Sequence, residues 1–157
     1  MILVTLGTHP MPMDRLLRAL DHLVDEGAIK DDVIVQSAAY DYRPRHAHIE
    51  GICTFAWLQQ AVQRAEVVIS HAGPGTLATI RAVGRAPVVV PRSSLHGEHV
   101  DDHQQLYADR LRSIPGYVVV TDLATLADAI ELARTTRFIA TPADVSRAVL
   151  ALEALWE

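Results

Sequence analysis

A doubly covered parallel α/β sheet is the fold this 157-residue chain predicts, on three observations. Short apolar runs alternate with helix-period segments from one end to the other. Those runs are continuous in Val, Ile and Leu, as strands buried on both faces are. The chain between successive runs is mostly long enough for a crossover helix, which parallel neighbours require. At about 150 residues per domain the length is that of one domain, so residues 1–157 are read as a single unit.

Ile2 to Leu6 reads as the first buried strand, closed by Gly7. Asp14 to Val24 reads as a helix, because Leu16, Leu17, Leu20 and Leu23 recur at three- and four-residue spacing and Gly27 ends it. Val33–Val35 is a second strand. Tyr40 to His48 is polar and proline-containing and reads as a loop; Ile52 to Phe55 reads as a short strand and Trp57 to Ala65 as a short helix. Glu66 to Ser70 is a strand, followed by a glycine turn and a helix from Thr76 to Val83. Pro87 to Val90 and Tyr117 to Val120 are further strands around a helix from Val100 to Leu111. Leu123 to Ala133 and Ala143 to Leu155 close the chain as helices.

Composition removes several classes. Half the residues are apolar and the net charge is −5, which argues against disorder and against a duplex nucleic-acid binder with its basic face. A single cysteine, Cys53, excludes an internal disulfide, fits a reducing compartment and is expected in the core. No apolar run reaches the ~20 residues of a membrane helix, and the start lacks a basic leader. The expectation is a soluble cytoplasmic domain.

In parallel sheets, ligands sit at the carboxyl ends of the strands, so those loops carry the candidates. Ser70-His71-Ala72-Gly73-Pro74-Gly75-Thr76 joins a strand to a helix. Its glycines permit close backbone approach, and the helix start offers unpaired N–H groups suited to phosphate, with Thr76 as a hydroxyl. A plain turn with a capping threonine is the alternative. The spacing is not the dinucleotide G-x-G-x-x-G, which disfavours NAD. Gly7-Thr8-His9 can bring a second glycine turn to the same edge, or simply end a strand. Asp102, His103, Gln104 and Gln105 open a helix where polar groups can line a pocket or be solvated. His99 and His103 fall four apart, as ligands on one helix face would, but lack the H-E-x-x-H order. Asp14 belongs in a first helical turn, Trp57 beneath a helix, and Asp41, Arg43, Arg45, His46 and His48 in a solvated loop.

In order and spacing, these segments resemble the glycosyltransferase family 28 C-terminal domain, the donor-binding half of a GT-B glycosyltransferase, in its stand-alone Alg13-type form. The resemblance rests on Val4-Thr5-Leu6-Gly7-Thr8-His9, Asp14-Arg15-Leu16-Leu17, Val33-Ile34-Val35-Gln36, Val68 to Thr76, Val88 to Arg92 and Gly97 to Gln104. It implies a single Rossmann-like domain, a UDP-sugar donor and transfer with inversion. Gly73, Gly75 and Thr76 would hold the diphosphate beside His71. Gly7, Thr8 and His9 would face the cleft, and Asp102, Gln104 and Gln105 the donor sugar. Thr79 stands where relatives commonly carry a ribose-binding glutamate, and Ser37-Ala38-Ala39 follows Gln36 where they often carry glycine. No Asp-x-Asp pair is present, so no metal or other cofactor is expected. The family implies a membrane-associated Alg14-type partner that supplies the lipid-linked acceptor and the general base. The cleft rim and the stripe Val145, Ala148, Val149, Leu152, Leu155 and Trp156 are its candidate docking surface. Exopolysaccharide synthesis is the setting of the bacterial relatives. A non-catalytic nucleotide-binding or scaffolding descendant of the fold is the alternative.

Overall fold

The computed structural model describes residues 1–136. Six parallel strands form one sheet in the order β3-β2-β1-β4-β5-β6, the chain running outward from β1 in one direction and then returning to build the other half. The strands are β1 (Ile2–Thr5), β2 (Val33–Gln36), β3 (Ala47–Glu50), β4 (Val67–Ser70), β5 (Val88–Val89) and β6 (Val118–Val119). The helices are α1 (Asp14–Asp25), α2 (Phe55–Arg64), α3 (Pro74–Ala82), α4 (His103–Leu111) and α5 (Leu126–Thr135).

The two-residue period of each strand splits its apolar side chains between two cores. Ile2, Val4, Val33, Val35, Val67 and Ile69 face Leu16, Leu17 and Leu20 of α1 and Leu126 and Ile130 of α5. Leu3, Val68 and Val89 face Ala61 and Val62 of α2, Leu77 and Ile80 of α3, and Tyr107 and Leu111 of α4. Trp57 packs against this second core, as its place on α2 predicts.

The segment between β2 and α2 departs from the sequence reading. The third strand is Ala47–Glu50, inside and just beyond the stretch read as loop, and Ile52 to Phe55 is not a strand. Ala47 to Glu50 pairs with Val33 to Gln36 in parallel register. As an edge strand it buries little, so its apolar content is low. Ile52 and Phe55 are instead exposed. α2 starts at Phe55, where Thr54 caps it by accepting the Trp57 N–H at 3.2 Å. Elsewhere the differences are at boundaries: α3 begins at Pro74, which suits the first helical position. α4 begins only at His103, and the last described helix is preceded by a short 3₁₀ turn over Leu123–Thr125. The final helix and its stripe from Val145 to Trp156 lie outside the described residues.

The connection from β2 to β3 is held by three carboxylates on α1, of which Asp25 meets the Arg45 guanidinium and His46 Nε2. Asp14, in the first helical turn, accepts the backbone N–H groups of Asp41 and Tyr42 at 3.2 and 3.0 Å. Asp21 is only 2% exposed and accepts the Tyr42 hydroxyl at 2.7 Å and the N–H groups of Arg45 and His46 at 2.8 and 3.0 Å. The loop backbone is therefore pinned, while Asp41, Arg43, Arg45, His46 and His48 are exposed as expected. Burial alone would raise the Asp21 pKa, but these donors outweigh it and hold the carboxyl below its ordinary value. Asp21→Ala leaves those buried donors without an acceptor and should lower unfolding free energy by about 2 kcal/mol. Urea unfolding would show it; a loss under about 0.5 kcal/mol would mean the loop is held by other contacts.

Candidate functional site

The carboxyl ends of β1, β2 and β4 converge on a cleft of about 340 Å³. Parallel register sets Thr5 beside both Gln36 and Ser70, so the residues that follow must share one edge. Gln36 is 6% exposed and clamps the first glycine turn. Its Oε1 accepts from the Thr5 hydroxyl at 3.0 Å and the Gly7 N–H at 3.2 Å, while its Nε2 donates to the Gly7 carbonyl at 3.1 Å. Gly7 adopts φ +73°, which glycine takes without a Cβ penalty.

His71 forms the floor between the two glycine turns. Its Nδ1 lies 3.1 Å from the Thr5 carbonyl, which can only accept, so Nδ1 carries the proton and Nε2 holds a lone pair. Burial, with the nearby Arg92 charge, lowers its pKa to about 4, so the ring is neutral at pH 7. A Cβ at Gly7 would stand 2.8 Å from the ring Cε1, and one at Gly73 would stand 2.7 Å from Nε2. Ala72, between His71 and Gly73, adopts the left-handed φ of 70°, a strained backbone for a residue with a Cβ. That turn swings the chain into α3, where Gly73 is the N-cap and Pro74 follows. No side chain among the described residues caps this end, so its first N–H groups lack an intrahelical or capping partner. Thr8, Thr76, Cys53, Phe55 and Leu58 complete the cleft wall.

Gly7, Thr8, His71 and Thr76 thus meet in one cleft, with Gly73 against the His71 ring and Gly75 open beside it. Thr79 does not line that cleft. It lies in an adjoining groove of about 270 Å³ between α2 and α3, with Phe55, Gln59 and Val83, and its hydroxyl donates to the Gly75 carbonyl at 2.9 Å. Phe55 borders both. Cys53 is half-buried on the cleft wall, not in the core, because it sits in a loop and not in a strand. Burial and the Glu50 charge raise its pKa.

The α4 side forms a second group. Asp102 accepts the N–H and hydroxyl of Ser94 at 3.0 and 2.9 Å. Gln104 Oε1 accepts the Arg92 N–H at 3.1 Å, which leaves its amide N–H₂ to donate. Gln105 lines a separate small cavity of about 30 Å³ with Arg15, Ser93, His96 and Thr121. His9 stacks on His99 with centroids 4.7 Å apart, joining the loop after β1 to the loop before α4. His99 and His103 do not share a helix face, since α4 starts only at His103; both instead meet Asp101, at 3.0 and 2.9 Å. Among the described residues, no three His, Cys, Asp or Glu side chains gather as a metal site.

Sequence reasoning passed over Thr5, Phe55 and Leu58, and assigned no role to Gln36, Arg92 or Glu98. Gln36 had a readable signal, a polar residue ending an apolar strand. Arg92 and Glu98 are 1% and 2% exposed, and nothing local marks two charges for burial.

The family model of the glycosyltransferase family 28 C-terminal domain matches residues 1–138. The UDP-N-acetylglucosamine transferase subunit ALG13 of Cryptococcus neoformans is 39% identical over 74 residues, 45% of this chain and 34% of that protein. The match thus spans about a third of that relative's length. Among solved structures, ALG13 determined by NMR superposes with a TM-score of 0.61 at 15% identity, over 99% of this chain and 96% of that one. The glycosyltransferase SnogD from Streptomyces nogalater gives 0.58 at 19% identity over 99% of this chain and 39% of its own. These likenesses establish the fold as that of a GT-B C-terminal domain. Among the described residues, no helix is long and apolar enough to cross a membrane.

Two outcomes follow from the His71 geometry. Gly73→Ala should displace the ring and shift its NMR resonances, whereas Gly75→Ala, with nothing within 4 Å of the added carbon, should leave them in place. Identical His71 resonances in both variants would refute the packing described. The second concerns pH. The unfolded chain protonates His71 near 6.5 and the folded chain only near 4, so between these values the unfolded state binds more protons. Stability from this residue is complete above pH 6.5 and falls as pH drops toward 4, by about 2 kcal/mol at about pH 5. Urea unfolding of His71→Gln should show a shallower acid decline than wild type; parallel declines would contradict the assignment.

Proposed function

This chain belongs to the glycosyltransferase family 28 C-terminal domain family, and from that premise we propose that it is the donor-binding subunit of a split GT-B glycosyltransferase. It takes a UDP-sugar of the GlcNAc, glucose or glucuronate kind. With an Alg14-type membrane-associated partner it transfers the sugar, with inversion, to a lipid-linked acceptor. In this reading it works in the cytoplasm, at the inner face of the membrane through that partner, and in bacterial exopolysaccharide synthesis.

The observation that carries the reading is the uncapped N-terminus of α3, which begins beside Gly7 and His71 at the cleft. Its N–H groups and positive dipole end suit a diphosphate and replace a cation in offsetting its charge. Gly73, Gly75 and Thr76 hold the phosphates. The apolar groove between α2 and α3 adjoins the cleft at Phe55 and gives the nucleoside a surface. There Thr79 offers a neutral hydroxyl, weaker than a carboxylate toward ribose. The free amide of Gln104, with Asp102 and Gln105, faces the sugar.

Transfer needs the acceptor oxygen to attack the anomeric carbon opposite the departing UDP, while a base takes its proton. The α3 end stabilises the charge that builds on the leaving diphosphate. The acceptor and its base belong to the partner, because this domain forms one wall of the cleft.

UDP should protect Cys53, the chain's single cysteine, from maleimide, and should do so equally in the presence of chelator. Gly75→Val should abolish that protection while the domain stays folded, since open space lies at that position. The isolated chain should transfer no sugar until the Alg14-type partner is added. Equal alkylation rates with and without UDP would remove the donor-site reading. Transfer by the chain alone would remove the split-enzyme reading.

A further inference from the structure

We infer that Arg92 is a positioning residue for the diphosphate end of the cleft, and that its buried positive charge, held by carbonyls without a directly bonded carboxylate, strengthens binding of an anionic donor. The inference rests on the donor-site reading above.

Arg92 follows β5 and is 1% exposed. Its guanidinium donates to three backbone carbonyls from three segments. One terminal nitrogen reaches Leu6 at 2.7 Å; the other reaches Met11 at 2.6 Å and Glu98 at 3.0 Å. Leu6 immediately precedes the cleft residue Gly7, and Met11 lies two residues beyond His9. The Arg92 N–H is held by Gln104 Oε1 at 3.1 Å. The side chain therefore sets the first glycine turn, the His9 loop and the Glu98 loop relative to one another, and the backbone N–H of the same residue ties in Gln104 of α4.

Hydrogen bonding to carbonyls does not require a charge, and burying one is expensive when no ion partner is in contact. Glu98, the carboxylate whose charge acts on Arg92, is already taken: it meets Arg15 Nε at 2.7 Å and accepts the Ser93 N–H at 3.1 Å. The Glu98 carboxylate is thus committed to Arg15 and Ser93, Arg92 bonds Glu98 only at its backbone carbonyl, and Arg92 Nε has no hydrogen-bond partner among the described residues. The other ionisable groups facing this region are His9, His71 and His99, with Asp101 between His99 and His103 and Asp102 at the α4 start. The positive charge reaches the cleft wall: it contributes, after burial, to lowering the pKa of both His9 and His71. A residual cation behind Gly7 and His71 favours a diphosphate over a neutral nucleoside.

The test compares UDP with uridine by calorimetry in wild type, Arg92→Met, Arg92→Lys and Glu98→Gln, with histidine titrations followed by NMR. Arg92→Met should weaken UDP about tenfold, leave uridine within about twofold, and raise the His9 midpoint. Arg92→Lys should recover much of the preference for UDP. Glu98→Gln, which removes negative charge and keeps shape, should increase that preference and lower the His9 midpoint further; it carries the test if Arg92→Met does not fold. Equal losses of UDP and uridine in Arg92→Met, or an unchanged UDP preference in folded Glu98→Gln, would reduce Arg92 to a structural staple. No UDP binding by wild type would end the donor-site reading, and this inference with it.

Discussion

The hydrogen bond from His71 Nδ1 to the Thr5 carbonyl crosses from β4 to β1, and the cleft is arranged around the ring it holds. The ring lies where side chains on Gly7 and Gly73 would otherwise be, which accounts for glycine at both positions. To keep the ring there and still begin α3, the backbone must turn within two residues. Ala72 does so in a left-handed conformation, stabilised by its own burial in the second core. Pro74 then supplies the φ of a first helical residue and has no N–H of its own to satisfy. A single cross-strand bond thus bears on the residues at four positions, Gly7, Ala72, Gly73 and Pro74, and the α3 terminus is left without a side-chain cap at the cleft.

Such a bond is possible because the register is already set. Thr5 pairs with Ser70 on one side and Gln36 on the other, so the last side chains of three strands meet in one row. Gln36 uses both ends of its amide there, accepting from the Gly7 N–H and donating to its carbonyl. The first glycine turn is thereby fixed from below by Gln36 and from the side by His71. The proposed binding of a charged donor would benefit from that rigidity, since dipoles that must reorient on binding lose much of their advantage.

The parts of this arrangement that sequence made legible are those with local periodicity. Continuous apolar runs mark β1, β2 and β4, since strands covered on both faces have no polar alternation to disguise them. Leucine spacing marks α1, and glycine after a strand marks the turns. The edge strand Ala47–Glu50 was not legible, because it buries little and alternates Ala and Ile with His and Glu. Ile52 and Phe55 misled in the opposite sense: they are apolar yet exposed, at the entrance to α2. Arg92, Glu98 and Arg15 were illegible for a different reason. Their burial depends on partners up to 86 positions away, as between Arg92 and Leu6, and no local pattern encodes such a meeting.

The two halves of the candidate site differ in how they are built, and that difference bears on what each can recognise. On the proposed reading the α3 half is mainly backbone, with two glycines, a helix end, a neutral ring and the Thr76 hydroxyl, which would suit a diphosphate common to all donors and carry little information about a sugar. The α4 half is side chains whose polar atoms are only partly committed. Gln104 spends its oxygen on the Arg92 N–H and keeps its amide donors; Asp102 bonds Ser94 and is exposed. Selectivity among sugars comes from groups left unpaired by the wrong hydroxyl pattern. The α4 half presents such groups in Gln104 and Asp102, and Arg92 helps to place them, its backbone N–H holding Gln104 while its guanidinium holds the loop after β1. Substitutions that change donor preference are therefore expected on α4 and on the loop that Arg92 holds. Changes at the α3 turn should alter affinity for all diphosphate donors alike.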